Sequence, residues 1–203
     1  MLTRSSQRGV SMIEVAITMA LAAVLLFAVA PEVTAMMANS RIRSSAESLQ
    51  QGLQSARNEA LKRNQVVTLW LTTPNASNTL DNSCALSASA RAWVVSVNDP
   101  AGKCATASSA TADPMLVEKS VGGATATSVV VAALQSDNAT AATSVAFDGF
   151  GRVTADTAIA RIDLDHASAG NNFRPLRIVI ANGGSVRLCE PRVSDANDPR
   201  RCP

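Results

Sequence analysis

An uncharged apolar run over residues 15–30 constrains this chain more than any other feature of its sequence. A helix over residues 10–33 would be about 36 Å long at 1.5 Å per residue, which is enough to cross a bilayer. Glu14 lies at the start of this segment, where a carboxylate costs about 2.5–3.5 kcal/mol in the core of a membrane. A segment that served only as an anchor would not carry this acid, so Glu14 predicts a specific role.

The small residue that could mark a cleavage site lies on the unusual side of the apolar run. An ordinary secretory signal has it after the run, whereas Gly9 precedes the run and follows Arg4 and Arg8. Cleavage after Gly9 would remove both arginines and leave the apolar helix on the mature chain. Together with Ser11 and Glu14, this order resembles the class III signal of type IV pilins and type II secretion pseudopilins.

The resemblance implies a maturation step and an assembly contact. A prepilin peptidase would cut after Gly9 and methylate the new amine of Val10, where the family more often has phenylalanine. Glu14 would pair with the N-terminal amine of a neighbouring subunit during assembly. The alternative is a helix cap, because Ser11 and Glu14 fit the S-x-x-E capping box, in which the acid reaches back to a free amide. The two roles can coexist in different states.

The charge balance gives no bulk signal for nucleic-acid binding. The chain has 18 basic and 16 acidic residues, and loss of Arg4 and Arg8 with the leader would leave equal numbers of each. A nucleic-acid site would therefore need a local basic patch. The residues beyond the apolar helix are numerous enough for one domain with its own core.

Four cysteines on a chain that carries an export signal predict two disulfides. Sequence order favours Cys84 with Cys104 and Cys189 with Cys202, although three pairings are possible. Each bridge would contribute about 3 kcal/mol in the chain-entropy model. The competing zinc site is disfavoured, because the chain has no C-x-x-C pair and its single histidine, His166, is not spaced with any cysteine. We expect no metal or cofactor.

The residues that follow the apolar run predict an amphipathic continuation of the helix over residues 39–64. Pro31 would kink the helix between the two halves. An apolar stripe recurs at spacings of three and four and comprises Ile42, Ala46, Leu49, Leu53, Ala56 and Ala60. Gly52 weakens the helix by about 1 kcal/mol relative to alanine, so packing must compensate. We expect this stripe to lie on a sheet.

From residue 65 onward the pattern predicts strands separated by turns rich in Pro, Gly, Asn, Asp and Ser. The predicted strands cover residues 66–71, 93–97, 115–117, 128–134, 145–147, 159–164, 176–181 and 186–188. The clearest hairpin has Asn182, Gly183 and Gly184 between its strands. Residues 147–153 read as a turn that joins another pair, and residues 105–112 and 124–142 include surface loops. The fold class is therefore α+β, a long N-terminal helix packed on an antiparallel β domain.

These segments resemble one subgroup of the pilin superfamily, the GspH/FimT group. The resemblance is in the junction over residues 55–69, the turn over residues 147–153, and the end with Arg187, Cys189 and Cys202. It implies a leader over residues 1–9, a membrane and filament-core helix over 10–38, an amphipathic helix over 39–64 and a β-rich domain over 65–203. The arginine-containing, disulfide-linked tail favours members of the pilus over members of the secretion system.

An enzyme is disfavoured, whereas DNA capture is the main competing function. His166 follows Asp163 and Asp165 in a polar segment that lacks the partners of a catalytic base. Some FimT-like minor pilins are implied to bind DNA through a Gly-Arg-x-Arg motif, of which only Arg187 carries over because Ser185 replaces the first arginine. The candidate DNA residues are Arg187, Arg192, Arg200 and Arg201, to which Arg152, Arg161, Arg174 and Arg177 would add if they share a face.

The sequence thus predicts a minor pilin of a type IV pilus, with a secretion pseudopilin and a DNA-binding minor pilin as alternatives. The chain would be a single-pass protein of the bacterial inner membrane whose C-terminal domain faces the periplasm before assembly into the filament. Its expected partners are other major and minor pilins or pseudopilins, the prepilin peptidase, the membrane and, in the third alternative, DNA.

Overall fold

A computed structural model describes residues 10–122, 128–168, 170 and 172–203, with the backbone alone for residues 26–31. One long helix, α1 (Met12–Arg63), is followed by eight antiparallel strands in two sheets. The predicted α+β class is confirmed. The chain divides into two compact units, Met1–Met37 and Ala38–Pro203. The leader over residues 1–9, including Gly9, lies outside the described residues.

The first unit is helical from Met12 onward, and the large apolar side chains that the structure describes there are exposed. Exposed members include Ile13, Ile17, Leu21, Val24, Leu25 and Met36. Helix α1 is continuous in its backbone through Pro31, where the sequence predicted a kink. Among the described residues, no helix combines the length and apolarity needed to cross a membrane. The membrane segment over residues 10–38 therefore stays a prediction.

The second half of α1 buries the apolar stripe that the sequence predicts. Ile42, Ala46, Leu49, Leu53, Ala56 and Ala60 are completely buried and belong to the main core. Gly52 explains how the helix can approach so closely: an added Cβ would lie 2.7 Å from the Trp93 ring and 2.9 Å from the Leu69 side chain. Packing against the strands that carry these two side chains compensates for the poor helix propensity of glycine.

The strands form two four-stranded sheets. Their bounds are β1 Val67–Thr72, β2 Ala92–Ser96, β3 Leu116–Ser120, β4 Val129–Leu134, β5 Ser144–Phe147, β6 Arg161–His166, β7 Leu176–Ile180 and β8 Val186–Cys189. The first sheet has the order β3-β2-β1-β5, and the second has the order β4-β6-β7-β8. Alternate residues of both sheets, such as Leu69, Phe147, Ile162 and Ile178, join the helix stripe in one core.

A second, smaller core covers the other face of the first sheet. It contains Val94 and Leu116 from the sheet together with Cys84 and Cys104, which form a disulfide. The Lys119 ammonium donates to the carbonyl oxygens of Cys104 at 2.5 Å and of Thr106 at 3.1 Å. The disulfide and the Lys119 bonds hold two loops on this face of the first sheet, the loop between β1 and β2 and the loop before β3. Without these loops, the face would expose apolar side chains.

All eight predicted strands are present, and their ends agree within two residues except at β3, which was predicted to end at residue 117 but ends at Ser120. Strand β6 is displaced at both ends by two residues, because it was predicted over residues 159–164 but covers Arg161–His166. The amide of Ile159 donates to Ser144 of β5, whereas the amide of Ala160 donates to Leu134 of β4. Because the chain crosses from one sheet to the other here, regular pairing with β4 starts after Ala160.

Candidate assembly site and C-terminal tail

At the start of α1, the Glu14 side chain makes no hydrogen bond or ion pair with another described residue. The Ser11 carbonyl oxygen accepts hydrogen bonds from the amides of Glu14 at 3.0 Å and Val15 at 3.2 Å, which closes the first turn. Within the described residues, the Glu14 carboxylate has no hydrogen bond or ion pair, so the side-chain bonds of the capping box are not made there. Val10 is also exposed. The carboxylate is geometrically available to a partner from outside the chain.

The C-terminal tail folds back beside β8 and is fixed by covalent and polar bonds. Cys189, the last residue of β8, is joined to Cys202, which is the pairing that sequence order favours. The amide of Glu190 donates to the Arg200 carbonyl oxygen at 2.8 Å. The Arg187 guanidinium donates to the carbonyl oxygens of Pro199 at 2.9 Å and Arg201 at 3.1 Å. Arg187 therefore has a structural role in the tail.

The other candidate DNA-binding arginines do not form one free basic patch. Arg192 donates to the carbonyl oxygens of Gly170 and Phe173 and so holds the loop before β7. Arg200 pairs with Asp198 at 2.7 Å, a hydrogen bond that lowers the pKa of the Asp198 carboxyl and raises the pKa of Arg200. Of the four candidate arginines, Arg201 alone has an exposed side chain with no hydrogen bond or ion pair to any described residue.

Two of the additional arginines, which lie on the second sheet, share one acidic partner. Asp163 on β6 is paired with Arg161 at 2.9 Å and with Arg177 of β7 at 2.5 Å.

The His166 ring stacks on Phe173 with centroids 3.8 Å apart. The described residues contain no group of three or more His, Cys, Asp or Glu that could hold a metal ion.

The turn between β5 and β6 contains contacts that the sequence did not predict. The Asp148 carboxylate accepts bonds from the amides of Phe150 and Arg152, both at 2.9 Å. The Arg152 amide is the largest cause of a lowered pKa of the Asp148 carboxyl. The Arg57 guanidinium of α1 donates to the Gly151 carbonyl oxygen at 3.0 Å. The paired glycines at 149 and 151 indicated a turn, but nothing in the sequence indicated its contact with Arg57.

Comparison with solved structures returns two crystal forms of the type IV minor pilin FimU from Pseudomonas aeruginosa, strain PAO1. The first, in space group P21, is 16% identical with a TM-score of 0.46, and the match covers 75% of this chain and 94% of FimU. The second, in space group P65, is also 16% identical with a TM-score of 0.41, covering 74% and 97%. Comparison with curated proteins returns no significant match.

Two family models match the sequence. The prokaryotic N-terminal methylation motif matches residues 4–30, the segment that contains Gly9, Val10 and Glu14. The model described as type II transport protein GspH matches residues 45–184. That match includes most of the second half of α1 and seven of the eight strands. Because it covers more than half of the chain, this protein belongs to the GspH family of type IV minor pilins and pseudopilins.

Proposed function

We propose that this chain is a minor pilin of a type IV pilus that enters the filament, or its priming or tip complex, through its N-terminal helix. The proposal rests on two observations: the described apolar side chains of the N-terminal helix are exposed, and the Glu14 carboxylate has no hydrogen bond or ion pair with any residue that the structure describes. The free energy cost of exposing this apolar surface to water favours a lipid or protein environment. The acid adds a charge that only a specific cationic partner would compensate.

The choice of a pilus over a secretion pseudopilus rests on the tail. The Cys189–Cys202 bridge and the Arg187 bonds to tail carbonyls make the last residues an ordered part of the domain. The sequence resemblance associates such a tail with pilus members of the GspH/FimT group. The expected partners are other pilins, the prepilin peptidase and the bacterial inner membrane, with the C-terminal domain on the periplasmic side.

The processing step provides the first test of the proposal. The precursor should lose residues 1–9, and mass spectrometry of the membrane form should find an N-methylated Val10. Gly9→Val should accumulate uncut precursor, because the added side chain occupies the position where the peptidase requires glycine. Val10→Phe, which introduces the residue more common in the family, should still be cut. Normal processing of Gly9→Val would rule out a class III signal.

A further inference from the structure

Basic side chains cluster at the start of the compact domain. The domain begins at Ala38, and Arg41 and Arg43 follow on α1, both exposed to solvent. Arg174, exposed in the loop between β6 and β7, lies at the same end because its amide donates to the Asn39 side chain at 2.8 Å. We propose that these three arginines, the basic collar, bind the headgroup phosphates of anionic phospholipids before the subunit enters a filament. This inference rests on the proposed function and identifies a surface that the membrane-bound protein presents to lipid.

Several bonds hold the loop between β6 and β7 at this end of the domain. The Asn39 side chain also donates to the Asn172 carbonyl oxygen at 3.1 Å, so it contacts the loop at two residues. The Arg192 guanidinium, from the tail, donates to the Phe173 carbonyl oxygen at 2.7 Å. The backbone of Arg174 is therefore fixed, while its side chain makes no hydrogen bond or ion pair with any residue that the structure describes.

Helical geometry places the other two collar arginines on opposite flanks of α1. Successive residues are about 100° apart around a helix, so Arg41 and Arg43 project about 160° apart. Both lie within four residues of Asn39, which is about 6 Å along the helix axis. The collar thus presents cations on both flanks of α1 at one level along its axis. Because a bilayer presents its phosphates in one plane, the three arginines can reach such a surface together.

The acids near the basic collar leave most of its charge uncompensated. Glu47 pairs with Arg43 at 2.8 Å, and both side chains are more than half exposed. Asp165, near the end of β6, accepts a bond from the next amide in the chain but forms no ion pair with a described residue. The same holds for the ion pairing of Glu32, which precedes the domain on α1, and of Arg41. Two of the three collar arginines therefore have no acidic partner among the described residues.

The place of the basic collar in the chain favours a lipid headgroup as its partner. The collar follows directly on the predicted membrane segment over residues 10–38, and no Lys or Arg lies between Arg8 and Arg41. The first basic residues of the mature chain would therefore lie on the periplasmic side, whereas Lys and Arg usually accumulate on the cytoplasmic side of a membrane span. A headgroup phosphate would compensate these charges, because guanidinium groups bind phosphate through paired hydrogen bonds.

The test compares two variants of the full-length processed protein that lose the same charge. Arg41→Gln with Arg174→Gln removes two collar arginines, and Lys62→Gln with Arg152→Gln is the matched control, whose side chains are 74% and 64% exposed. In detergent with equal phosphatidylglycerol and phosphatidylcholine, native mass spectrometry should show that the wild-type protein prefers phosphatidylglycerol. This preference should fall about fivefold for each collar arginine lost, the equivalent of about 1 kcal/mol per basic residue at an anionic surface. The control should keep it, and both variants should unfold at the wild-type temperature.

Three results would overturn the inference: no preference in the wild-type protein, an equal loss in both variants, or displacement of the lipid by inorganic phosphate at the same concentration. Crosslinking in host membranes gives a second readout. p-Benzoylphenylalanine at Ser44, which is exposed beside Arg43, should crosslink to phospholipid, and the same group at Lys62 should not. A crosslink from position 44 to protein alone would show that the collar faces another chain and would also overturn the inference.

The same preparations separate this inference from the proposed function. If the lipid preference is absent while Glu14→Leu is still excluded from filaments, the collar inference fails and the proposed function survives. If the wild-type protein is never found in filaments, the proposed function fails as well.

Discussion

At the scale of single residues, Gly184 has no side chain and therefore allows two turns to approach each other closely. Gly184 lies in the turn between β7 and β8 with a φ of 78°, and an added Cβ would be 1.8 Å from the Gly151 carbonyl oxygen. That oxygen accepts the bond from Arg57, and the neighbouring Val153 amide donates to Asn182 at 3.0 Å. The helix and both turns meet at this point. Glycine is therefore required at position 184 both by the close contact with Gly151 and by the positive φ.

We predict that Gly184→Ala destabilises the domain over residues 38–203 by about 2–4 kcal/mol, because it adds left-handed backbone strain to a clash with backbone atoms. Gly183→Ala is the matched control, since a Cβ there meets nothing within 4 Å, and should change stability by less than about 0.5 kcal/mol. Urea unfolding followed by circular dichroism measures both. Equal stability of the two variants would show that the contact with Gly151 is unimportant.

The residues differ in how far sequence alone could identify them. Gly9 and Glu14 are recognisable because their roles depend on spacing along one continuous segment. Arg57 is not, since its role arises from a bond to the Gly151 carbonyl oxygen, almost a hundred residues later in the chain. The tail arginines are an intermediate case: sequence identifies Arg187 and Arg192, but only the structure shows that they bind backbone carbonyls.

At the scale of elements, the second half of α1 was predictable because its apolar residues recur with helical spacing. The structure places these residues in the main core. The strands were also predictable, because runs of β-branched residues alternate with residues that favour turns. What the sequence did not predict is the covering of the first sheet by the segment that holds Cys84 and Cys104. That segment has no periodic pattern, and its packing depends on the disulfide and on Lys119.

The helix-to-sheet approach gives a prediction at this scale. Gly52→Ala should destabilise the domain by about 1–3 kcal/mol through overpacking against Trp93 and Leu69, even though alanine favours the helix by about 1 kcal/mol. Gln51→Ala, one residue away on the exposed side, should be neutral or slightly stabilising. Thermal unfolding of both variants measures the difference, and a higher melting temperature for Gly52→Ala would refute the close approach.

At the scale of the whole molecule, the separation into an outward-facing apolar helix and a compact domain agrees with a protein that functions in an assembly. The α+β class followed from the sequence, but the order of strands in two sheets did not, because pairing between strands distant in sequence leaves no local pattern. The methylation motif matches residues 4–30, and the GspH family model matches residues 45–184.

The charge distribution over the domain argues against strong DNA binding. We predict that the domain over residues 38–203 gives at most a weak gel shift at low salt, which disappears near physiological salt because it depends on phosphate contacts. Arg201→Ala and the double change Arg200→Ala with Arg201→Ala should weaken any shift equally across DNA sequences. Arg187→Ala should also weaken it, through disorder of the tail. A tight shift that resists salt would contradict this account.

Incorporation of a Glu14 variant tests the central claim most directly. Glu14→Leu makes the helix more apolar, so the protein should still be inserted and cleaved, and Glu32→Leu on the same helix is the matched control. Sheared filaments, quantified by immunoblot against the membrane pool, should contain the wild-type protein and Glu32→Leu but little Glu14→Leu. Wild-type levels of Glu14→Leu in filaments would contradict the proposed assembly role of this carboxylate.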